Sequence, residues 1–330
     1  MKGTRSLSAL LCASLVFALM PLAARAATIE TTYVDENGNT RSVTATVVES
    51  STSTLTAGWY VVNGSITRSG TITVSGDAHL ILADGASFTI YGDLNNAGIN
   101  VSGSNRLTIY GQEQGTGRLA VTCGGNGAGI GGGHNEASGT IAIRGGAVTA
   151  TGNSGGAAIG GGESGNGGTI TISGGTVRAT GTFGGAAIGG GAGGDGGTIA
   201  ISGGIITAQA RNGGAAIGGG AAIGGTGGDG GTVAISGGTV VAEAYHNGAG
   251  IGCGAGGASG DIAISGGSVD VVEGGVSPTP HNGANAPVYH TSITLFGIGD
   301  RTRVDALTTD AGYAYGTKDL YTEAGGSVIH

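Results

Sequence analysis

Two glycine-rich hexapeptides carry the most suggestive metal chemistry in the chain. Gly190-Gly191-Ala192-Gly193-Gly194-Asp195 and Gly224-Gly225-Thr226-Gly227-Gly228-Asp229 match the first six positions of a calcium-binding nonapeptide. The aliphatic eighth position is Gly197 or Gly231, and the equivalent sites elsewhere are Ala137, Asn166 and Ala258. The match reads as aspartate in a turn, so neither a metal nor another cofactor is expected. The same glycine runs imitate a dinucleotide loop, but no helix-period segment follows them, as such a site requires.

Sugar-cleaving chemistry needs paired carboxylates, or a carboxylate and a base, on one surface. Asp84, Asp93 and Glu113 stand in turn-like sequence. Outward positions of one strand, repeat by repeat, are Thr149, Arg178, Thr207, Val241 and Asp270, a row without an acid pair. No catalytic residue is assigned and no enzyme is expected. Trp59, Tyr60, Tyr91 and Tyr110 are the candidate ligand-binding residues, as rings on which sugars could stack. The competing use of these rings is packing within the N-terminal segment. Threonines at 140, 169, 198 and 232 suggest an ice-binding array. The second column such an array needs is mostly alanine, so ordinary strand preference accounts for them. Cys123 and Cys253 have no partners at metal-ligand spacing.

What must position these residues is a repeat. TIAIRGGAVTA at Thr140 recurs as variants at Thr169, Thr198, Thr232 and Asp261, in steps of 29, 29, 34 and 29 residues. A partner motif travels with it: AGIGGG at Ala128, AAIGGG at Ala157, Ala186 and Ala215, and AGIGCG at Ala249. The long step holds a local duplication, AAIGGT at Ala221. A fixed period of this size marks a solenoid in which each repeat buries its apolar face on its neighbours. The expected fold is all-β: a parallel β-helix with three strands per coil and one coil per 29 residues.

Period-two alternation assigns the faces. Ile141, Ile143, Ile170, Ile172, Ile199, Ile201, Val233, Ile235, Ile262 and Ile264 point inward. So do Val177 and Ala179 on the second strand, and Ile159, Ile188, Ile217 and Ile251 on the third. Paired glycines such as Gly174-Gly175 allow tight corners. In the less regular early coils, Thr71, His79 and Gly98 each open a strand of one coil, with Ala86 to Tyr91 as an extra strand or loop. Strands from Arg106, Arg118 and Ala128 make the next. Stacked strands lie ~4.8 Å apart, which places the two cysteines roughly 19 Å from one another. A disulfide needs Cα atoms within about 7 Å, so both thiols should be free.

Residues 1–26 read as a signal peptide. Lys2 and Arg5 precede an apolar stretch from Leu10 to Leu22, and Ala24-Arg25-Ala26 is a small-x-small cleavage site. No second apolar segment follows, so no membrane insertion is expected after cleavage, and the protein should be secreted or at the cell surface. Residues 27–57 read as a hairpin cap turning at Glu36-Asn37-Gly38-Asn39 and covering the first coil. Residues 58–275 form the β-helix. Residues 276–330 are a proline-containing loop and a small β-rich closing segment, which stops in strand-like sequence at Val328-Ile329-His330 and so suggests a truncated or longer chain. Glycine is 77 of 330 residues, yet without a triplet period, which excludes collagen. A net charge of −8 with no basic stripe argues against nucleic acid.

Several phrases carry a resemblance. AGWYVVNGSIT, ITVSGDAHLILADGASFTI, NRLTIYGQEQGTGRLAV and the recurring AAIGGG and GGTITISGGTV resemble large exported surface proteins of gut bacteria. Repeats of that kind are taken to form a pectate-lyase-like β-helix and are often labelled carbohydrate-binding or adhesin-like. YGTKDLYTEAGGSV resembles the segment closing such regions. The resemblance covers about Tyr33 to Gly275 and implies fold and location, with no catalytic set to carry over. The expected function is a non-enzymatic module presenting an extended binding face for glycans of a host or neighbouring cell. The alternatives are a structural spacer of a larger surface protein and a β-helical polysaccharide lyase or glycosidase.

Overall fold

The computed structural model describes residues 26–222, 225–258 and 260–274, with four short strands beyond them. The signal-peptide segment and most of the closing segment lie outside the described residues. The described chain is all-β and forms a parallel β-helix.

Seven strands build its N-terminal end: β1 (Thr28–Val34), β2 (Thr40–Val47), β3 (Thr54–Val62), β4 (Ser65–Ser69), β5 (Ile72–Leu82), β6 (Ser87–Tyr91) and β7 (Ile99–Asn100). Regular coils follow. They are β8 (Arg106–Gly111), β9 (Arg118–Thr122) and β10 (Ile130–Gly131), then β11 (Thr140–Ile143), β12 (Ala147–Gly152) and β13 (Ile159–Gly160). Next come β14 (Thr169–Ile172), β15 (Thr176–Gly181) and β16 (Ile188–Gly189), and β17 (Thr198–Ile201), β18 (Ile205–Ala210) and β19 (Ile217–Gly218). The last are β20 (Thr232–Ile235), β21 (Thr239–Tyr245) and β22 (Ile251–Gly252), then β23 (Asp261–Ile264) and β24 (Ser268–Gly274). Further on, β25 (Ile293–Thr294) pairs antiparallel with β26 (Arg303–Val304), and β27 (Tyr321–Thr322) with β28 (Val328–Ile329).

Each strand pairs in parallel with its counterpart in the next coil. The first strands stack from β8 to β23, the second from β4 to β24, and the third from β7 to β22. Registers match the sequence repeat residue for residue: Ile143 on Ile172, Ile172 on Ile201, Ile201 on Ile235 and Ile235 on Ile264. All five are buried, as are Val177, Ala179, Ile159, Ile188 and Ile217; Ile251 and Ile262 are partly buried. Each buried aliphatic side chain of this size contributes about 1.5–3 kcal/mol, and identical ones stack in register. The 34-residue step keeps the register, since Thr198 still pairs with Thr232. The additional residues fall between Gly220, which stacks on Gly191, and Gly228, which stacks on Gly194.

From β10 onward the third strand is only an Ile-Gly pair whose glycine is required, whereas β7 carries Asn100 at that position. Gly131, Gly160, Gly189 and Gly218 have φ between 134° and 141°, and a Cβ on each would strike the carbonyl oxygen of the glycine one coil further on.

Two expectations change at the N-terminal end. Ala86 to Tyr91 is neither an extra strand nor a loop: β6 is a full member of the second-strand stack, between β4 and β9. Ile72 to Val74 instead completes the preceding coil. β5 then runs unbroken into the next, pairing with β7 through Ile72 and Thr73 and with β8 from Asp77 onward. Its Gly76, at φ 91°, absorbs the bend that a glycine-rich loop makes in later coils. The hairpin also does more than cover the first coil. β2 extends the sheet beside β3 by two residue pairs, Thr46 with Tyr60 and Val47 with Val61. The rest of the β1–β2 hairpin then lies along the outer side of the first-strand stack. There Ala45, Val61, Ile81 and Tyr110 form a second, smaller core outside the solenoid, with Ile29, Tyr33, Val43, Val47 and Trp59 packed on it.

Candidate functional site

The hairpin turn rests on one carboxylate. Asp35 accepts hydrogen bonds from the backbone N–H of Asn37 (3.0 Å) and Asn39 (2.8 Å), and from the Arg41 guanidinium at 2.8 Å. The bond from Arg41 and those from the backbone hold its carboxyl below the usual range. The turn aims the hairpin tip at the third rung below β3, where Glu36 pairs with Arg144. Gln112 fastens the middle, donating from its amide to the Thr32 carbonyl at 3.0 Å and the Thr31 hydroxyl at 3.1 Å. Coverage ends there: outward Ala142 is 7% exposed, whereas Thr171, its neighbour one coil on, is exposed.

Under this strap lies an aromatic cluster. Trp59 stacks on His79 with centroids 4.4 Å apart. Tyr33 on the hairpin closes over Trp59 at 4.6 Å and Tyr110 at 4.8 Å, and the Arg144 guanidinium lies 5.5 Å from the Tyr110 ring centroid. Tyr110 reaches the His79 Nδ1 with its hydroxyl at 3.3 Å. Burial lowers the His79 pKa below its ordinary value; Asp77 opposes this, and Arg144 and Arg106 reinforce it. Burial likewise raises the phenol of Tyr110.

Of the four candidate aromatics, the structure joins only Trp59 and Tyr110, with centroids 5.2 Å apart. Tyr60 is in register with inward Leu80 and packs toward the interior, its hydroxyl bonded to Thr56 at 2.9 Å. Tyr91 is 54% exposed at the end of β6, on the second-strand stack. The four therefore do not form one sugar-stacking platform. Tyr110, 4% exposed, packs the hairpin instead.

Of the candidate carboxylates, Asp84 and Asp93 have structural tasks. Asp84 accepts from the N–H groups of Gln114 and Thr116, both at 3.0 Å, and Asp93 accepts from the Thr71 N–H at 3.2 Å. The two lie at different corners of a coil, before and after β6. In the glycine loops an Asx ladder runs from coil to coil. Asn166 Oδ1 accepts from the Asp195 N–H at 3.0 Å, Asp195 from the Asp229 N–H at 3.0 Å, and Asp229 from the Ala258 N–H at 2.8 Å. The calcium-like aspartates thus cap backbone of the following coil. Among the described residues no three His, Cys, Asp or Glu side chains gather in a metal-sized group. Arg106, Thr140, Thr169, Thr198, Thr232 and Asp261 stack as one outward column.

A second feature was not apparent from the residues alone. Three successive corners after the second strand enclose an open cleft of about 500 Å³, lined by Thr182, Phe183, Arg211, Asn212, Tyr245 and His246. Phe183 is 63% exposed on its rim. Asn212 and His246 both take φ 56°, left-handed backbone that presents their side chains at the turn. The corners are stapled together: Asn212 donates from its amide to the Thr182 carbonyl at 3.1 Å, and Thr182 from its hydroxyl to the Gly152 carbonyl at 3.0 Å. Tyr245 donates from its hydroxyl to Glu243, whose other oxygen accepts from the Gln209 amide at 2.7 Å. That bond to Glu243 also raises the Tyr245 phenol pKa. No acceptor among the described residues engages the Arg211 guanidinium. The cleft combines two aromatic rings with a cation, amide and imidazole on a rigid frame, an arrangement suited to binding a polar ligand that has apolar faces.

Comparisons with protein-family models, curated proteins and solved structures find no match for this chain.

Proposed function

We infer that this protein is an exported, non-enzymatic β-helix module that binds glycans on its lateral surface. The observation that carries the reading is the corner cleft. Sugars present C–H faces that pack on rings such as Phe183 and Tyr245, and hydroxyls that hydrogen-bond to groups such as Asn212 and His246. The frame is preorganised, because each lining residue sits on a rung fixed by backbone bonds to the coils beside it, so little ordering entropy is lost on binding. Successive rungs ~4.8 Å apart suit a ligand that itself repeats. The signal-like N-terminus and the resemblance to surface proteins agree with an external ligand.

The test is a glycan array with the full chain, run beside a reducing-sugar release assay. Specific glycan signal that falls in Phe183→Ala, with no sugar released, is the expected result. Silence in both assays would make the solenoid a spacer. Release that vanishes on replacing a single carboxylate would make it an enzyme.

A further inference from the structure

We propose that the corner cleft selects glycans carrying a carboxylate, with Arg211 as the residue that reads it. This rests on the glycan-binding reading and names the ligand class within it.

Charge complementarity argues for the carboxylate. Arg211 is the cationic side chain of the cleft, it is exposed, and no acceptor among the described residues engages it. Glu243, two residues before the lining Tyr245, already uses one oxygen on the Tyr245 hydroxyl and the other on the Gln209 amide. A planar guanidinium donates two parallel N–H bonds to a carboxylate, which fixes orientation as well as adding attraction. Arg211 lies on the middle of the three corners, with Phe183 one coil before it and Tyr245 one coil after it. Neighbouring rungs are ~4.8 Å apart, so a carboxylated pyranose held by Arg211 has a ring of the cleft on either side. Neutral sugars offer Arg211 hydroxyl acceptors, without the charged, two-pronged partner that a carboxylate supplies. Sialic acid and glucuronic acid are the two common sources of this chemistry on glycans.

The experiment measures binding of the full chain to matched pairs: 3′-sialyllactose against lactose, and a glucuronic-acid-terminated disaccharide against its glucose-terminated counterpart. At least one acidic member should bind about tenfold or more tighter than its neutral partner. Arg211→Gln should erase that difference while leaving the melting temperature unchanged, and Arg211→Lys should restore only part of it. Loss confined to one acidic probe identifies the source. Equal binding of acidic and neutral members, lowered by Phe183→Ala, would overturn the carboxylate selection and leave the glycan-binding cleft standing. Absence of binding to every probe and every array glycan would overturn both.

Discussion

Trp59 and His79, on adjacent rungs of the first-strand stack, lie with their ring planes 17° apart and centroids 4.4 Å apart, beneath a hairpin that contributes Tyr33 from outside. This pair is where the strap meets the solenoid. Its chemistry makes that contact sensitive to pH.

The folded protein holds the His79 pKa below the ordinary value, so protons bind the unfolded chain more readily. Its contribution to stability is therefore present above pH about 6.5 and is lost as pH falls through the lower folded value. Denaturant melts from about pH 5 to about pH 8 should show this slope in wild type and a flatter profile in His79→Gln. The chain has one tryptophan, so Trp59 emission reports the hairpin directly. A red shift on acidification that precedes global unfolding is expected, and an unchanged pH profile in the variant would refute the assignment.

Ile201 is 1% exposed between Ile172 and Ile235. Ile201→Ala should cost about 2–5 kcal/mol through lost burial and a cavity. Ile201→Asp should cost more, since it buries a charge with no partner. Thermal melts settle this: an aspartate variant as stable as wild type would reverse the facing of the ladder.

Gly189→Ala should destabilise by about 1–3 kcal/mol or prevent folding, because its backbone is at φ 134° and the new Cβ meets the Gly218 carbonyl. Gly64→Ala is the control. A Cβ there meets nothing within 4 Å, and the change should stay within about 0.5 kcal/mol. Similar melting of the two variants would mean that the coils are not spaced as described.

Cys123 is buried, Cys253 is half-buried, and both are free. Burial raises both thiol pKa values. Aromatic disulfide reagent should therefore react slowly with the native protein. In a chain expressed without residues 1–26, which hold Cys12, it should titrate two thiols after denaturation without reductant, and a count of zero would demand a bridge across the coils.

The sequence by itself determined the solenoid. Each repeat carries its own alternation of Ile or Val with Thr or Ala, its own corner glycines and its own Ile-Gly third strand, and in-register stacking of identical units is the arrangement that buries every copy. The inward ladder from Ile143 to Ile264 and the register across the 34-residue step were legible for this reason. The early coils were less so. β5 passes from one coil to the next with only Gly76 at the bend, so the residues do not show that Ile72 to Val74 belongs to the coil before that of Asp77 to Leu82. Only the tertiary structure decided the rest. The hairpin could have closed the end of the stack or lain on its side, and the choice rests on contacts between residues far apart in the chain, Tyr33 with Tyr110 and Glu36 with Arg144. Phe183, Arg211 and Tyr245 share no sequence motif, and they become neighbours only because parallel stacking brings corners about one repeat apart in sequence to within a strand spacing in space.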